Sequence, residues 1–481
     1  MGNGNQDVIT GNFMENILIN KSVPTTATAD VVIVGGGLGG VSAALGAARA
    51  GAKVILLEKN GFLGGVATAG MCCSVFNCMF SRDRRLMIGG NPVEIVDALA
   101  VGAGPGNSWN DHKGHIIYDV EKAKLILAEL LEKVGVHIRI NSPLCDVLKD
   151  GNKITHAITC GRNGLEAIAC KVLVDATGDC HAVALAGAEL KNAESHRSSY
   201  VFRLGNVDVD RFVQYLCDNP DEYPGRMDID WSLNEAVAQY KENGTFLFPH
   251  GGGMQMKVVK TAIENGDLPL TLGSYDTLDA MQMHMIRDKG VCHVITGYVN
   301  TPKPDEYNMT KIITDGKRVA FVFNEMMRKY MPGFENAFVS QTADDLGIRG
   351  SRCIVGEKTF TKSMKESAHR CSDAIGVGVV ETYEYLTKGD KAWGAQVFGN
   401  DVWEIPLGCL IPKGIDNIIV GAGRGADTEP PLLLRVMVNT MTVGQGAGVT
   451  AALSVQTGVR INAVDRALLK NELIRQGVKY P

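Results

Sequence analysis

The chain has 481 residues, of which 45% are hydrophobic and 21% are charged, so it is long enough for two or three domains with a large buried core. Its net charge of −5 argues against a nucleic-acid partner. The first residues lack the basic stretch and apolar run of a signal peptide, and no uncharged apolar run reaches about 18 residues, so we expect a cytoplasmic protein without a membrane span.

A dinucleotide-binding pattern begins at Asp30. Residues Val31–Val34 are predicted to form a buried strand, and a helix rich in small residues is predicted to follow and to end at Gly51. The turn between them has the spacing G-x-G-x-x-G and comprises Gly35, Gly37, Leu38, Gly39 and Gly40. Such a turn lets the backbone approach a pyrophosphate, and the N-terminus of the helix offers N–H groups to it.

A second predicted strand, "KVILLE", ends in Glu58, which lies eighteen residues after Gly40. A carboxylate at this distance is typical of a group that binds the hydroxyls of an unphosphorylated ribose. The stretch "EKNGFLGGVATAG" then contains Lys59, Gly64, Gly65 and Thr68. Ordinary NAD-binding domains do not need this second glycine pair, whereas a loop that passes over an extended FAD does, so the stretch favours FAD.

The twelve cysteines contain no C-x-x-C pair, so we expect no zinc or iron–sulfur loop and no metal site. Cys72, Cys73 and Cys78 form the one cluster. The simplest interpretation is that they are ordinary thiols in a reducing cytosol. The alternatives are a redox-active thiol and a covalent attachment point for a flavin.

The middle of the chain predicts how the domains are arranged. An amphipathic helix over Val120–Val134 is followed by predicted strands, the last of which leads into Ala176, Thr177, Gly178 and Asp179. We expect one FAD-binding domain built from two parts, residues 1–192 and 401–481. A substrate domain at 193–400 is predicted to be inserted between them, beginning with strands and continuing as mixed strand and helix.

The inserted region carries three candidate catalytic residues. Arg349 and Arg352 in "LGIRGSR" are three residues apart, a spacing that lets two guanidinium groups converge on one carboxylate or enolate oxygen. Salt bridges at a domain seam are the alternative. His250 lies in the glycine-rich stretch "FPHGGGMQ", where capping of a turn is the alternative to a catalytic role.

A second glycine pattern follows the predicted strand Ile418–Val420 and contains Gly423 and Arg424. It raises the question of a second nucleotide site. Pro430 and Pro431 would interrupt the helix that such a site needs, so we predict a return strand of the same FAD-binding domain instead.

The stretch around and after these prolines supplies the remaining candidates. Glu429 is a candidate base, and Arg435 is a candidate flavin or substrate contact, with a structural ion pair as the alternative. The terminal helix is expected to start around Met441–Gly446 and to point at the flavin ring, where its dipole favours negative charge. Its candidate contacts are Gly444, Gln445 and Gly446.

Two sets of stretches resemble known flavoproteins. "EKNGFLGGVATAG" and "DATGD" look like the two-dinucleotide-binding-domain flavoproteins, which have the glutathione-reductase-like fold. "YMPGFENAFVSQTADDLGIRGSRCIVGEKTFT", "EIPLGCLIPKGIDNIIVGAGR" and "RVMVNTMTVGQGAG" resemble the FAD-dependent oxidoreductases, relatives of the flavin subunits of fumarate reductase and heterodisulfide reductase. This resemblance runs from Asp30 to Gly458 and implies an α/β fold, in which a Rossmann-like FAD-binding domain carries an inserted α+β substrate domain. His181 departs from the pattern, because the family usually has an acid there.

The resemblance also implies a function. It indicates an enzyme that binds FAD and transfers a hydride between flavin N5 and a small organic substrate with a carbonyl, alcohol or carboxylate group. The alternatives are a flavin-dependent monooxygenase or halogenase, and an electron-transfer flavin subunit of a larger complex. The expected partner is a small molecule; a homo-oligomer is compatible with the sequence, and the electron donor or acceptor is not identified by it.

Overall fold

The computed structural model describes residues 18–75, 79–81, 85–102, 116–192, 196–223, 232–249, 256–301, 306–379, 382–384, 395–397, 402–431 and 433–481. The strands are β1 (Thr25–Val34), β2 (Val54–Leu57), β3 (Ser74–Val75), β4 (Ile116–Ile117), β5 (His137–Arg139), β6 (Leu144–Asp150), β7 (Lys153–Gly161), β8 (Gly164–Asp175), β9 (Leu190–Asn192), β10 (His196–Gly205), β11 (Thr245–Phe248), β12 (Thr271–Leu272), β13 (Tyr275–Ile286), β14 (Val291–Thr301), β15 (Phe338–Thr342), β16 (Arg352–Ile354), β17 (Phe360–Thr361), β18 (Ala374–Val379), β19 (Thr382–Glu384), β20 (Ala395–Val397), β21 (Val402–Pro406), β22 (Ile418–Val420) and β23 (Thr428–Glu429). The α-helices are α1 (Leu38–Arg49), α2 (Asn91–Gly102), α3 (Val120–Glu132), α4 (His181–Leu185), α5 (Val209–Asp218), α6 (Leu233–Asn243), α7 (Lys257–Glu264), α8 (Glu306–Tyr330), α9 (Lys362–Glu366), α10 (Met437–Thr457) and α11 (Arg466–Arg475). Among the helices in these ranges, none is both long enough and apolar enough to cross a membrane.

The first sheet has the order β5-β2-β1-β8-β7-β6, and β22 pairs with β8 in addition. Strands β5, β2, β1, β8 and β22 are parallel neighbours, whereas β7 and β6 extend the sheet by antiparallel pairing. Residues Val31–Val34 of β1 are almost fully buried, as a central parallel strand covered on both faces requires. Helix α1 connects β1 to β2, so the strand, turn, helix and strand predicted from the glycine pattern are confirmed.

Parallel pairing places the ends of strands from distant parts of the chain side by side. Val34 is paired with Leu57 and with Asp175, and Asp175 is paired in turn with Val420. Strand β22 is therefore a member of the first sheet, which confirms the predicted return strand. After it the chain forms a single 3-10 turn at Gly423–Gly425, not the long helix of a second nucleotide domain.

Helices α1 and α10 pack with their backbones in contact. A Cβ atom at Gly448 would lie 2.0 Å from the carbonyl oxygen of Ala43, and one at Gly444 would lie 2.1 Å from the carbonyl oxygen of Gly39. Any side chain at these positions would push the helices apart, so the packing requires glycine. This contact holds the C-terminal part of the chain against the first glycine turn.

Helix α10 differs from the sequence prediction in two ways. It begins at Met437, so Gly444–Gly446 lie about two turns inside the helix and not at its N-terminus. The start was missed because no capping side chain marks it: Val436 precedes it without a side-chain hydrogen bond to the first turn. The helix is also not the last one, because Gly458 ends it in the left-handed conformation and α11 follows, capped by the Asp465 carboxylate.

The second sheet is antiparallel and has the order β11-β13-β14-β10-β15, with β12 beside β13. One face packs against an apolar core that includes residues of α8. Met281, Met283 and Met285 of β13 are buried in that core. Alternation along β13 turns His284 to the opposite face.

The part of the chain that packs around the first sheet is here called the first unit, and the second sheet with its own apolar core is called the second unit. The opposite face of the second sheet carries a polar row directed at the first unit. The strand register aligns Gln341, Arg203, His293 and His284 across four neighbouring strands. Nε2 of His284 lies 3.0 Å from the hydroxyl oxygen of Ser74 in β3. Burial and, to a smaller extent, the guanidinium of Arg203 lower the pKa of His293 to about 3. The seam between the two units therefore contains a histidine that stays neutral at physiological pH.

Before residue 400 the chain leaves the second sheet and packs again into the apolar core around the first sheet. Strand β16 pairs with β9, β17 with β23, and β18 with β21. Phe360, Ile375 and Val377 belong to the same apolar cluster as residues of α1 and α10. Residues 352–379 thus pack with the first sheet, although the sequence places them in the inserted region; strand partners far away in the sequence draw them there.

We predict that Gly448→Ala destabilises the protein, although alanine is the better helix former by about 1 kcal/mol. The added methyl group would lie 2.0 Å from a backbone oxygen of α1, and such overpacking typically costs 1–3 kcal/mol, roughly enough to reverse the sign. Denaturant titration followed by circular dichroism measures the change. Gly161→Ala is the control, because its backbone is not in the left-handed region and the nearest atom to the added Cβ would lie 3.9 Å away. A Gly448→Ala midpoint above that of the parent would contradict the helix contact.

We also predict that His293 makes the protein sensitive to acid. Its folded pKa of about 3 lies below the ordinary value of about 6.5, so the unfolded chain binds more protons and stability falls as the pH drops below 6.5. The contribution of this residue to the slope approaches about 1.4 kcal/mol per pH unit. Free energies of unfolding measured from pH 7.5 to pH 5 should fall less steeply for His293→Gln than for the parent. The exposed residue His137 provides the control substitution, His137→Gln, which should keep the parental slope.

Candidate functional site

The loops that carry the predicted cofactor residues meet at one edge of the first sheet. Strands β1, β2, β8 and β22 run parallel and end at Val34, Leu57, Asp175 and Val420. The predicted residues follow directly after those ends, at 35–40, 58–68, 176–179 and 423–424. In open parallel sheets, ligands bind in the crevice outside the carboxyl ends of the strands.

The glycines of the first turn serve different purposes. A Cβ atom at Gly35 would lie 2.6 Å from the Ala176 carbonyl oxygen, and one at Gly40 would lie 1.8 Å from the Gly35 carbonyl oxygen, so protein packing alone requires both. Gly37 has an ordinary φ of −64°, and the nearest atom to its added Cβ would be the Gly65 Cα at 3.9 Å. The space beside Gly37 is therefore open, as a site for an approaching phosphate requires.

The N-terminus of α1 opens onto the same space. Gly37 is its N-cap residue and makes no side-chain capping hydrogen bond, and the first turn has no acidic residue. An uncapped helix N-terminus offers N–H groups and the positive end of its dipole to an anion. Gly39 has a separate packing role, because a Cβ atom there would lie 2.4 Å from the Gly421 carbonyl oxygen. Leu38 is buried at the start of the helix.

Glu58 is buried beneath the glycine turn. Its carboxylate accepts hydrogen bonds from the backbone N–H of Gly36 at 2.6 Å and of Asn60 at 2.8 Å. Burial raises the pKa of Glu58, and these two N–H groups partly offset the rise. The carboxylate thus orders the turn. Its contact with a ribose stays a prediction.

The loop after Glu58 lies over the first turn. The N–H of Gly64 donates to the Gly36 carbonyl oxygen at 2.8 Å, and Gly64 and Gly65 both have left-handed backbone conformations, with φ of 115° and 55°. The Thr68 hydroxyl donates to the Leu63 carbonyl oxygen at 2.6 Å and is buried. Thr68 therefore supports the loop from within, whereas the sequence suggested a cofactor contact.

Lys59 reaches across to the second unit. Its ammonium nitrogen lies 2.9 Å from the carboxylate of Asp345, a residue that follows the last strand of the second sheet. Burial lowers the pKa of Lys59, but Asp345 more than offsets this effect and the net pKa is raised. In this structure Lys59 is thus part of a bridge between the units.

The loop after β8 is organised by a buried acid that the sequence analysis did not single out. The carboxylate of Asp175 accepts hydrogen bonds from the N–H and hydroxyl of Thr177, at 3.1 and 2.7 Å, and from the N–H of Val183 at 2.9 Å. Burial raises its pKa and these donors partly offset the rise. Ala176 is buried beside Gly35, and Gly178 has a φ of 81°. The acid in "DATGD" at the strand end was the signal available for Asp175.

Asp179 and Arg424 form an ion pair across this edge. A terminal nitrogen of Arg424 lies 2.7 Å from the Asp179 carboxylate. The same carboxylate accepts a hydrogen bond from the Ser351 hydroxyl, and Arg352 donates through Nε to the Asp179 carbonyl oxygen at 3.0 Å. Arg352 is therefore tied to the loop after β8 by a hydrogen bond to backbone, and its role at the substrate stays a prediction. Gly423 packs against the backbone, because a Cβ atom there would lie 1.8 Å from the Leu434 carbonyl oxygen.

Two of the candidate arginines lie near a common thiol. Burial raises the pKa of Cys72, and a backbone hydrogen bond from Ser74 together with the guanidinium groups of Arg349 and Arg435 partly offsets the rise. Arg349, Arg435 and Cys72 are all half-buried. The two arginines therefore influence the pKa of one thiol although they are 86 residues apart in the sequence.

The remaining candidates lie elsewhere. Glu429 is exposed and belongs to β23, which pairs with β17. His250 lies outside the described residues. Gln445 is buried and accepts a hydrogen bond from the Asn91 N–H at 2.9 Å, and a Cβ atom at Gly446 would lie 2.6 Å from the side chain of Ile375. Together with Gly444, these α10 residues make packing contacts, and their role at the flavin stays a prediction.

Metal ligands do not cluster in the described part of the chain: no group of three or more histidine, cysteine, aspartate or glutamate side chains there has the arrangement of a metal site. The cysteines that are described are all free thiols. The chemistry available at the sheet edge is therefore that of arginines, buried carboxylates and backbone N–H groups.

The chain is similar to several known proteins. A digeranylgeranylglycerophospholipid reductase of Thermoplasma acidophilum is 29% identical over 240 residues, which make up 47% of this chain and 55% of the reductase, so the match spans about half of that relative. Among solved structures, a geranylgeranyl bacteriochlorophyll reductase-like protein from Thermoplasma acidophilum has a TM-score of 0.43 at 14% identity and covers 94% of this chain and 84% of its own. A p-nitrophenol 4-monooxygenase from Pseudomonas putida has a TM-score of 0.44 at 12% identity, with 94% and 88% covered.

The sequence profile of the family described as FAD dependent oxidoreductase matches residues 30–473, which include both parts of the sheet and the second unit. The match contains the glycine turn, the buried acid that orders it, and the return strand with its arginine. The chain therefore belongs to the FAD-dependent oxidoreductases, and FAD is its cofactor.

Proposed function

We propose that this enzyme transfers a hydride between flavin N5 and a small organic substrate whose carbonyl, alcohol or carboxylate oxygen is held by Arg349 and Arg435. The observation that carries the proposal is that the segment of Arg349 is fastened to the predicted cofactor loops, by the ion pair of Asp345 with Lys59 and by the hydrogen bond from Arg424 to Ile348. Both guanidinium groups also lower the pKa of Cys72, which otherwise rises by burial. Cys72 follows the loop of Gly64 and Gly65, which lies over the cofactor turn. Substrate would thus bind between the segment after β15 and the edge of the first sheet at which β1, β2, β8 and β22 end.

The cofactor would be held by the sheet edge. The pyrophosphate fits the open space beside Gly37 at the uncapped N-terminus of α1. The ribose hydroxyls fit the loop after β2, where Glu58 already orders the glycine turn. Bound FAD supplies a ring that accepts or releases a hydride, and the protein supplies position and charge. This assignment corresponds to a fold of the glutathione-reductase type.

The arginines would bind and orient the substrate. A guanidinium presents a planar fork of N–H donors that matches a carboxylate or an enolate oxygen, and it remains charged at every physiological pH. The half-buried guanidinium groups of Arg349 and Arg435 favour a substrate that is an anion, or one that gains negative charge as the hydride is transferred. The Cys72 thiol, with its raised pKa, adds no negative charge to oppose this binding at neutral pH.

The domain division that we propose follows the sequence prediction, with a cofactor domain in two parts, 1–192 and 401–481, and an insertion at 193–400. The separate sheet and separate apolar core of residues 196–342 support the insertion. The pairing of β16, β17 and β18 with strands of the first unit supports a shorter one, which ends near residue 351.

We predict that Gly37→Val abolishes FAD binding without unfolding the protein. The added side chain enters open space in the protein alone, at a φ that valine tolerates, but it occupies the proposed phosphate site. Flavin absorbance per chain, expected to be close to one FAD for the parent, measures the loss. Gly40→Ala is the matched control: its methyl group collides with backbone, so stability should fall as well. Full flavin occupancy in Gly37→Val would show that the phosphates lie elsewhere.

We further predict that Arg349→Lys and Arg435→Lys keep FAD but slow anaerobic bleaching of the flavin by substrate about tenfold or more, a loss of about 1.4 kcal/mol of transition-state stabilisation. Lysine keeps the charge and loses the fork. The substrate is found first, by screening small acids, alcohols, sugars and enones for bleaching or reoxidation.

Parental rates in both lysine variants would disprove the arginine site.

NADH and NADPH should not reduce the flavin quickly, because β22 belongs to the first sheet and forms no second nucleotide domain. Oxygen-dependent hydroxylation or halogenation of the substrate would instead identify a monooxygenase or halogenase. Fast, saturable bleaching by either nicotinamide would show that a second nucleotide site exists.

A further inference from the structure

The segment 344–352 runs from the second sheet to the first unit and is fastened at both ends. Near its start, Asp345 forms an ion pair with Lys59 at 2.9 Å. At its end, Nε of Arg352 donates to the Asp179 carbonyl oxygen at 3.0 Å. This segment contains Arg349, one of the two proposed substrate-binding arginines, so the contacts that hold the segment determine where that guanidinium lies.

Arg424 joins the middle of the segment to the loop after β8, with one donor on the segment and two on the loop. Its Nε donates to the Gly178 carbonyl oxygen at 2.9 Å, one terminal nitrogen donates to the Asp179 carboxylate at 2.7 Å, and the other donates to the Ile348 carbonyl oxygen. The Asp179 carboxylate in turn accepts the Ser351 hydroxyl. A side chain at Gly178 would lie 2.7 Å from Arg424, so the glycine leaves room for the guanidinium.

These contacts bracket Arg349. Ile348, directly before it, is held by Arg424, and Ser351, two residues after it, is held by Asp179. We propose that Asp179 and Arg424 are a positioning pair that sets Arg349 beside Arg435, and that they are not contacts for FAD as their place in the sequence suggests. The inference rests on the proposed substrate role of Arg349.

The donor count supports positioning over cofactor binding. A guanidinium has five N–H donors in a rigid plane, and Arg424 directs three of its nitrogens at protein acceptors on two different segments. The pair is mostly buried, with 20% of the Arg424 side chain and 27% of the Asp179 side chain exposed. Lysine, with one nitrogen, cannot bridge the three acceptors.

Cys72 offers a readout that needs no substrate, because Arg349 acts on its thiol. The FAD-loaded protein is treated with iodoacetamide from pH 7 to pH 10, and alkylation of the Cys72 peptide is followed by mass spectrometry. Arg349→Gln gives the reference: loss of the guanidinium raises the pKa of the Cys72 thiol further and lowers its thiolate fraction, so alkylation at pH 8 should slow several-fold. Asp179→Asn and Arg424→Lys should shift the profile in the same direction, with FAD content unchanged.

Two further variants sharpen the test. Ser351→Ala removes one hydrogen bond from the pair and should give a smaller shift in the same direction; it also serves if Asp179→Asn does not fold. Arg460→Lys is the matched control, because Arg460 forms an exposed ion pair with Asp416 at 3.4 Å and should leave the profile unchanged.

Three results would overturn the positioning pair: an unshifted profile in Arg424→Lys and Ser351→Ala alongside a shifted one in Arg349→Gln, loss of FAD in the pair variants with an unshifted profile, or an unshifted profile in Arg349→Gln itself. The proposed function fails separately. If substrate bleaches the flavin of Arg349→Lys and Arg435→Lys at the parental rate while the pair variants still shift the Cys72 profile, the pair positions Arg349 but the arginines do not bind substrate.

Discussion

The parallel register of β1, β8 and β22 is the constraint on which the site depends. Val34, Asp175 and Val420 are neighbours in the sheet although almost 400 residues separate the first from the last. Because each strand ends at the same edge, the loops that follow them must share one crevice. A shift of the β22 register would move Arg424 away from Gly178 and Asp179, and with it the segment that carries Arg349. One strand pairing thus links the sheet edge to the arginine that we propose as a substrate contact.

Close contacts between backbone segments explain most of the glycines in the first turn and in α10. Only some of these glycines are needed for a ligand. Gly39 makes room for the loop after β22, and Gly444 and Gly448 make room for α1. Gly37 is different, because nothing in the protein fills the place of its side chain. A motif read from sequence merges these requirements, whereas the distances separate the glycine that a phosphate needs from those that packing needs.

The sequence predicted the local elements well because their signals are local. The strand of Val31–Val34, helix α3 and the return strand β22 were each marked by periodicity or by glycine and proline spacing. Side-chain partners escaped prediction because they come from far away in the chain: Lys59 pairs with Asp345 and Arg352 with Asp179. Asp175 was passed over in favour of the loop after it, although its carboxylate orders that loop. Patterns thus predicted loops that the fold brings to one edge of the sheet, and only the fold revealed which side chains in them contact protein.

The charge at the proposed substrate position also bears on Cys72. A thiol acts as a nucleophile through its thiolate, so a redox-active or flavin-attaching cysteine needs a lowered pKa. Burial has the larger effect on Cys72 and raises its pKa despite Arg349 and Arg435. The two guanidinium groups therefore keep their positive charge uncompensated by a thiolate at neutral pH. A neutral thiol beside these guanidinium groups does not favour covalent chemistry at sulfur, and it adds no negative charge that would oppose the anionic substrate oxygen proposed for this place.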